Sequence, residues 1–137
     1  MKVKLLDGAR LPDRAHPTDA GSDLFARERK VIEPGKSATF DTGVCVELPH
    51  GCYAKVESKS GLNVKHGVMC CGGVIDEPYR GSIVVKLYNL SDVPYIVERG
   101  DKIAQLIIMH YVVPEIVVVD ELSETDRGTD GFGSTGR

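Results

Sequence analysis

Residues 73–87 read Gly73-Val74-Ile75-Asp76-Glu77-Pro78-Tyr79-Arg80-Gly81-Ser82-Ile83-Val84-Val85-Lys86-Leu87. The second half, Ile83 to Leu87, is short and rich in β-branched residues, which pack well on a pleated surface and lose rotamer freedom in a helix. The first half follows Gly72-Gly73 and ends at Gly81, and Pro78 restricts Glu77 before it to extended backbone. This unit of strand beside turn recurs outward along the chain. Val3-Lys4-Leu5, Thr39-Phe40-Asp41 and Tyr53-Ala54-Lys55-Val56 are further strand candidates, and Ile103 to Val113 and Ile116 to Val119 continue the pattern, split by Pro114-Glu115. Pro34-Gly35, Pro49-His50-Gly51 and Arg99-Gly100-Asp101 punctuate them. Many short strands between Gly and Pro turns predict an all-β sandwich or barrel. One short helix is expected, Ser60 to His66, with Ser60 as its N-cap.

A chain of 137 residues that is 42% hydrophobic holds one domain with a real core. Its net charge of −3 and scattered bases speak against nucleic-acid binding, which needs clustered Lys and Arg to neutralise phosphates. A polyanionic ligand must therefore be held by a few well-placed groups, helped by a cation. Cys45, Cys52, Cys70 and Cys71 form no C-x-x-C pair, and the histidines complete no zinc spacing. Adjacent Cys70 and Cys71 could suggest metal or redox chemistry, but small buried hydrophobes are the expected role of such residues. With no apolar run near 18 residues and no signal-like start, the expectation is a cytoplasmic protein without membrane contact.

The tail differs from the body. From Asp120 to Arg137 five acids stand against two arginines, a net of −3 equal to that of the whole chain. A disordered terminus is the plain reading of Gly128, Gly131, Gly133 and Gly136. The lone aromatic Phe132, set among glycines and followed by Ser134 and Thr135, suits instead a loop that closes on a ligand. The division expected is a β domain over 1–122 and an arm over 123–137.

Three segments could carry chemistry on phosphates. Arg127 to Thr135 supplies a guanidinium, hydroxyls and glycines whose amides can form an anion nest, although no Gly-Lys-Ser/Thr makes it a P-loop. In Gly72 to Gly81 a carboxylate stands beside an aromatic residue, as an ordinary turn also could. In Ser58-Lys59-Ser60-Gly61-Leu62 a cation, a hydroxyl and a helix start coincide, where helix capping is the alternative.

With Asp19-Ala20-Gly21-Ser22-Asp23-Leu24-Phe25-Ala26 before them and Gly100-Asp101-Lys102-Ile103-Ala104-Gln105-Leu106 between, these segments resemble, in order and spacing, the five motifs of the trimeric dUTPases. The resemblance implies a jelly-roll-like β-barrel or sandwich with one short helix and a flexible C-terminal arm. It implies hydrolysis of dUTP to dUMP and pyrophosphate with Mg²⁺, which limits uracil in DNA and supplies dUMP for dTMP synthesis, in a homotrimer with shared sites. By the resemblance, Asp76 orients and activates the water that attacks the α-phosphorus. Tyr79 packs under the deoxyribose, and the hairpin from about Cys70 to Tyr79, with Gly73, Val74 and Ile75, reads uracil through its backbone. Lys59, Ser60, Gly61 and Gln105 contact phosphates, and Asp23 supports the site and the hydrated magnesium. Arg127, Gly131, Phe132, Gly133, Ser134 and Thr135 belong to the closing arm, in which Phe132 stacks on the base.

Departures from the motifs are Lys59 for a usual Arg, which gives up the planar fork for phosphate, Ser58 for a common proline, and Asp130 for a usual glycine. Asp130 is expected to point to solvent. Asn63 replaces a common small residue and nothing in the sequence explains it. Two other readings stay open: a dCTP deaminase of the same fold, alone or bifunctional, and a non-catalytic nucleotide-gated regulatory protein.

Overall fold

The computed structural model describes residues 1–71 and 73–131. Within them the chain forms β1 (Lys2–Leu5), β2 (Gly21–Phe25), β3 (Lys30–Ile32), β4 (Ser37–Glu47), β5 (Cys52–Glu57), α1 (Ser60–His66), β6 (Val68–Cys70), β7 (Val74–Ile75), β8 (Ser82–Asn89), β9 (Tyr95–Val97) and β10 (Lys102–His110). The alternation expected at Ile83 is seen in β8, where Ile83, Val85 and Leu87 are buried while Val84 and Lys86 face out. Successive side chains of a strand point to opposite faces, so this pattern puts one face of β8 on the core.

Two four-stranded antiparallel sheets result, one ordered β1-β4-β8-β6 and the other β2-β10-β5-β7, with a β3-β9 ribbon beside them. Leu24, Phe40, Val46, Val56, Ile83, Leu87 and Leu106, drawn from both sheets, share one buried cluster. That is a sandwich of jelly-roll type rather than a closed barrel, each sheet covering the apolar face that the other cannot bury alone.

Asn89, at the end of β8, is fully buried yet satisfied: its Nδ2 donates to the carbonyls of Ile32 and Val93, each at 2.8 Å, and its Oδ1 accepts from Ser91 N and Oγ. It ties β3 to the turn before β9. Cys70 is buried as expected, whereas Cys71, expected to be buried with it, lies just past the end of β6 and is exposed; Cys45 and Cys52 are also buried, and all four are free thiols.

Three further expectations are corrected. Lys59, not Ser60, sits at the N-cap position of α1, with extended backbone and no side-chain cap, since a lysine ammonium has no acceptor for the first-turn N–H groups and here pairs with Asp23 of β2. The strand expected to run to Val113 stops at His110, and 116–119 forms no strand within the chain. The cause is register: His110 pairs with Cys52, the first residue of β5, so β10 runs out of partner, and Pro114 offers no N–H to resume a ladder. Finally, β6 and β7 are not two arms of one hairpin. Cys70 pairs with Leu87 in one sheet and Val74 with Lys55 in the other, so this segment crosses from sheet to sheet.

Candidate active site

Pairing within the second sheet builds a polar cluster on its β2-β10-β5 side. Gln105 at the middle of β10 lies opposite both Asp23 of β2 and Glu57 of β5. Its amide Nε2 donates to the carbonyl of Ser58 at 3.0 Å, just before α1. Gly21 makes room for it, since a Cβ there would lie 3.0 Å from the Cβ and Cδ of Gln105. Lys59, turned back from the helix, donates to Oδ1 of Asp23, and Lys102 meets Oδ2 at 2.6 Å. The Asp23 side chain is only 8% exposed. Burial alone would raise its pKa, but the hydrogen bonds and charges of Lys102 and Lys59 outweigh that and hold the carboxyl below its ordinary value.

Asp19, Asp23, Lys59, Gly21 and Gln105 thus line one pocket of about 220 Å³. Ser60 and Gly61 are exposed at the start of α1 beside it. The opening presents Lys59 and the Gln105 amide beside two carboxylates, Asp23, which is paired to two lysines, and Asp19, so an anion held there needs a further cation. Among the described residues no group of three His, Cys, Asp or Glu is placed to hold a metal ion.

A second cluster forms where β7 ends. Gly73 has φ +110 and a Cβ there would lie 2.7 Å from that of Val56, so only glycine permits both the backbone turn and the close approach to β5. Its carbonyl accepts from Val56 N at 2.8 Å, which seats Val74 and Ile75 against β5. Asp76 follows, exposed, its carbonyl accepting from Tyr79 N at 3.0 Å to close a turn. The Tyr79 hydroxyl donates to the carbonyl of Ser82 at 3.1 Å. Gly81 is needed under that ring because any Cβ there would run into the Tyr79 hydroxyl. Val74, Ile75, Asp76, Tyr79, Ser82 and Val84 line a pocket of about 250 Å³ of mixed polar and apolar character, to which the exposed Asp76 contributes the carboxylate.

The motif residues therefore gather as two groups on one chain. Asp23, Lys59 and Gln105 share a pocket at one side of the second sheet, and Asp76 and Tyr79 share another beside its β7 edge. Arg127 joins neither: it lies in a turn of the tail, its Nε donating to the carbonyl of Asp130 at 2.9 Å. Asp130 is exposed. Gly131 is the last described residue of the arm; Phe132, Gly133, Ser134 and Thr135 lie outside the described residues.

The sequence reading missed three contributors. Lys102 stands in a quoted motif, but only the β2–β10 register brings it to Asp23. Ser58 puts its hydroxyl to use where a proline has none, donating to the carbonyl of Cys70 at 3.1 Å and accepting from Cys70 N at 2.9 Å, so that it pins the entry of α1 to β6. Glu77 reaches His50, Gly51 and Tyr111. No spacing rule marks any of these pairs, because each joins elements distant in sequence.

The sequence pattern of the dUTPase family matches residues 7–136. The deoxyuridine 5'-triphosphate nucleotidohydrolase of Clostridium tetani is 46% identical over 140 residues, covering 100% of this chain and 97% of its own. That of Arabidopsis thaliana is 47% identical over 134 residues, covering 97% of this chain and 80% of its own. Among solved structures, Staphylococcus bacteriophage 80alpha dUTPase with dUPNHPP superposes with a TM-score of 0.94 at 33% identity, over 99% of this chain and 98% of that one. A point mutant of the dUTPase from phage phi11 of S. aureus, whose structure reveals the coordination of a structural Mg(II) ion, superposes with a TM-score of 0.81 at 32% identity, over 88% of this chain and 96% of that one.

Proposed function

The chain belongs to the dUTPase family, and on that premise we propose that it hydrolyses dUTP to dUMP and pyrophosphate. The observation that carries the mechanism is the exposed carboxylate of Asp76 in a pocket that it shares with Tyr79, Val74 and Ile75. A water oxygen attacks the α-phosphorus while Asp76 accepts its proton; the bond to the α–β bridging oxygen breaks and pyrophosphate leaves with its electrons. Tyr79 stands where a ribose 2′-hydroxyl would lie and so selects the deoxy sugar by exclusion. Backbone groups of Gly73, Val74 and Ile75 meet the uracil edge, and cytosine, with donor and acceptor reversed, leaves them unpaired.

Lys59, Ser60, Gly61 and Gln105 hold the phosphates. Asp23, paired to two lysines, positions Lys59 rather than repelling the substrate. The donor set fits magnesium carried on the substrate: with no cluster of three ligating side chains among the described residues, such an ion would keep its waters and bind through phosphate oxygens, supported by Asp23. When bound it offsets phosphate charge. Arg127, Gly131, Phe132, Gly133, Ser134 and Thr135 form the arm that closes over the nucleotide and excludes water.

A homotrimer with shared sites is part of the same reading. It is supported by the separation of the two pockets on one chain and by the tail, where Val112 is 89%, Ile116 91% and Val118 95% exposed. Apolar side chains so bare call for a partner surface. A reducing, cytoplasmic setting agrees with four free thiols.

The test is pyrophosphate release from dUTP with Mg²⁺, repeated in EDTA and with Asp76→Asn. Release that needs both the metal and Asp76 supports the proposal. Ammonia release from dCTP, or nucleotide binding without turnover, would replace it.

A further inference from the structure

The turn that presents Asp76 is held by a residue outside the roles assigned above. Glu77 is half-buried, and its carboxylate is saturated with donors. Oε2 accepts from Gly51 N at 2.9 Å and from the Tyr111 hydroxyl at 3.0 Å, and Oε1 meets His50 Nδ1 at 2.9 Å. The ring closes on itself, because Tyr111 N donates to the carbonyl of Gly51 at 3.2 Å. Gly51 precedes β5 and Tyr111 follows β10, immediately beyond the last paired residues, Cys52 and His110. Glu77 thus grips the frayed end of the central strand pair, and Tyr111 is packed there edge-on against Tyr53 at 6.3 Å between centroids.

The three bonds are unequal. His50 is 98% exposed, so its ion pair is screened by water. The backbone amide and the phenol, both set beside the sheet, do the holding. The donors from His50, Gly51 and Tyr111 keep the Glu77 carboxyl below the usual range, so it is an anion wherever the enzyme works. On the other side of the same turn, Arg80 Nη1 donates to the carbonyls of Glu77 and Tyr79. β7 itself has only two residues paired to β5 and cannot aim the next side chain alone.

We infer that Glu77 and Tyr111 form a positioning pair that fixes the Asp76 turn to the β5–β10 end and so sets the aim of the Asp76 carboxylate on its water. In this reading the pair acts through Asp76, the residue next to Glu77, rather than on the nucleotide itself. The inference rests on the proposed role of Asp76. A base misplaced by a fraction of its reach loses rate steeply, about ten- to hundredfold for shifts near 1 Å. Substrate binding, which depends on Tyr79, Lys59 and Gln105, should not change.

The test measures steady-state kinetics on dUTP with Mg²⁺, affinity for a non-hydrolysable dUTP analogue, and melting temperature for Glu77→Ala, Glu77→Gln, Tyr111→Phe and the double variant Glu77→Ala/Tyr111→Phe. Expected is a fall in kcat of about tenfold in Glu77→Ala and a smaller one in Tyr111→Phe, with KM and analogue affinity within about twofold of the parent. Glu77→Gln, which keeps an oxygen for Gly51 and Tyr111, recovers most of the rate. The double variant is no slower than Glu77→Ala, since both changes break one linkage. Parental kcat in a folded Glu77→Ala, or losses that multiply in the double variant, overturns the inference. If Glu77→Ala does not fold, Tyr111→Phe decides: an unchanged kcat overturns the inference, and a reduced kcat at constant KM supports it. Asp76→Asn is run alongside. An active Asp76→Asn refutes the base assignment itself, whereas an inactive one beside a parental Glu77→Ala refutes only the positioning pair.

Discussion

At the scale of single residues, the two important carboxylates are set up in opposite ways. Asp76 is exposed and unencumbered in its pocket, as a proton acceptor needs to be, while Asp23 is enclosed and bonded through both oxygens. Asp76→Asn keeps the shape and removes the basicity, so turnover should drop by about 10²–10⁴-fold while the affinity for a non-hydrolysable analogue holds. For Asp23 the consequence is one of stability. Its carboxyl titrates below the ordinary value of 3.8 in the folded chain, so its contribution is complete above that pH and is lost as pH falls through the lowered folded value. Urea midpoints of the parent and Asp23→Asn should therefore differ by a constant amount at neutral pH and converge only in strong acid. A gap that closed near neutrality would contradict the double lysine pairing. The Lys59 departure from arginine also gains a meaning here: a single ammonium is sufficient to reach Asp23 when Lys102 takes the other oxygen.

Elements decide how these side chains are presented. The turn after β7 depends on Gly81 having no Cβ beneath the Tyr79 hydroxyl. Gly81→Ala should push the ring aside, so the ratio of kcat/KM for dUTP over UTP should fall, with dUTP turnover less affected than the ratio. Asn89 does for β8 what Glu77 does for β7, binding a strand end to its surroundings through a fully buried amide. Asn89→Leu strands two carbonyls and the Ser91 donors, and should cost about 2–4 kcal/mol, read as a lower thermal midpoint. Ser58 belongs with them. Its bonds to both the N–H and the carbonyl of Cys70 join the two sheets at the entry to α1.

For the whole molecule the open question is what covers the tail. From Tyr111 to Leu122 the chain carries Val112, Val113, Ile116, Val117, Val118, Val119 and Leu122 in the open, beyond any strand of its own sheets. Burying such side chains fully contributes about 1.5–3 kcal/mol each, enough together to hold subunits at low concentration. Light scattering should give three times the monomer mass at micromolar concentration. Replacing Val112, Ile116 and Val118 together by Asp should shift that mass toward the monomer and abolish turnover. Truncation after Leu122 should leave the mass ratio intact while removing Arg127 and the rest of the closing arm, so that activity alone is lost.

Period and punctuation carried much of this in the sequence itself. The alternation through Ile83, Val85 and Leu87 needs no neighbour to be read, nor do the Gly and Pro turns or the short Ser60–His66 helix, since each depends on backbone preference within a few residues. Motif order, read along residues 19–136, marked Asp76, Tyr79, Lys59 and Gln105 as the residues to which the proposal assigns the site. Pairing was not legible. That Lys102 meets Asp23, that Ser58 clasps Cys70, that Cys70 and Val74 part into different sheets, and that Glu77 grips Gly51 and Tyr111 follow from strand register. Register is a property of two strands at once. The failed extension of β10 past His110 makes the same point: 111–119 has the composition of a strand, but a strand exists only where a partner supplies the other half of its hydrogen bonds, and within this chain β5 has already begun.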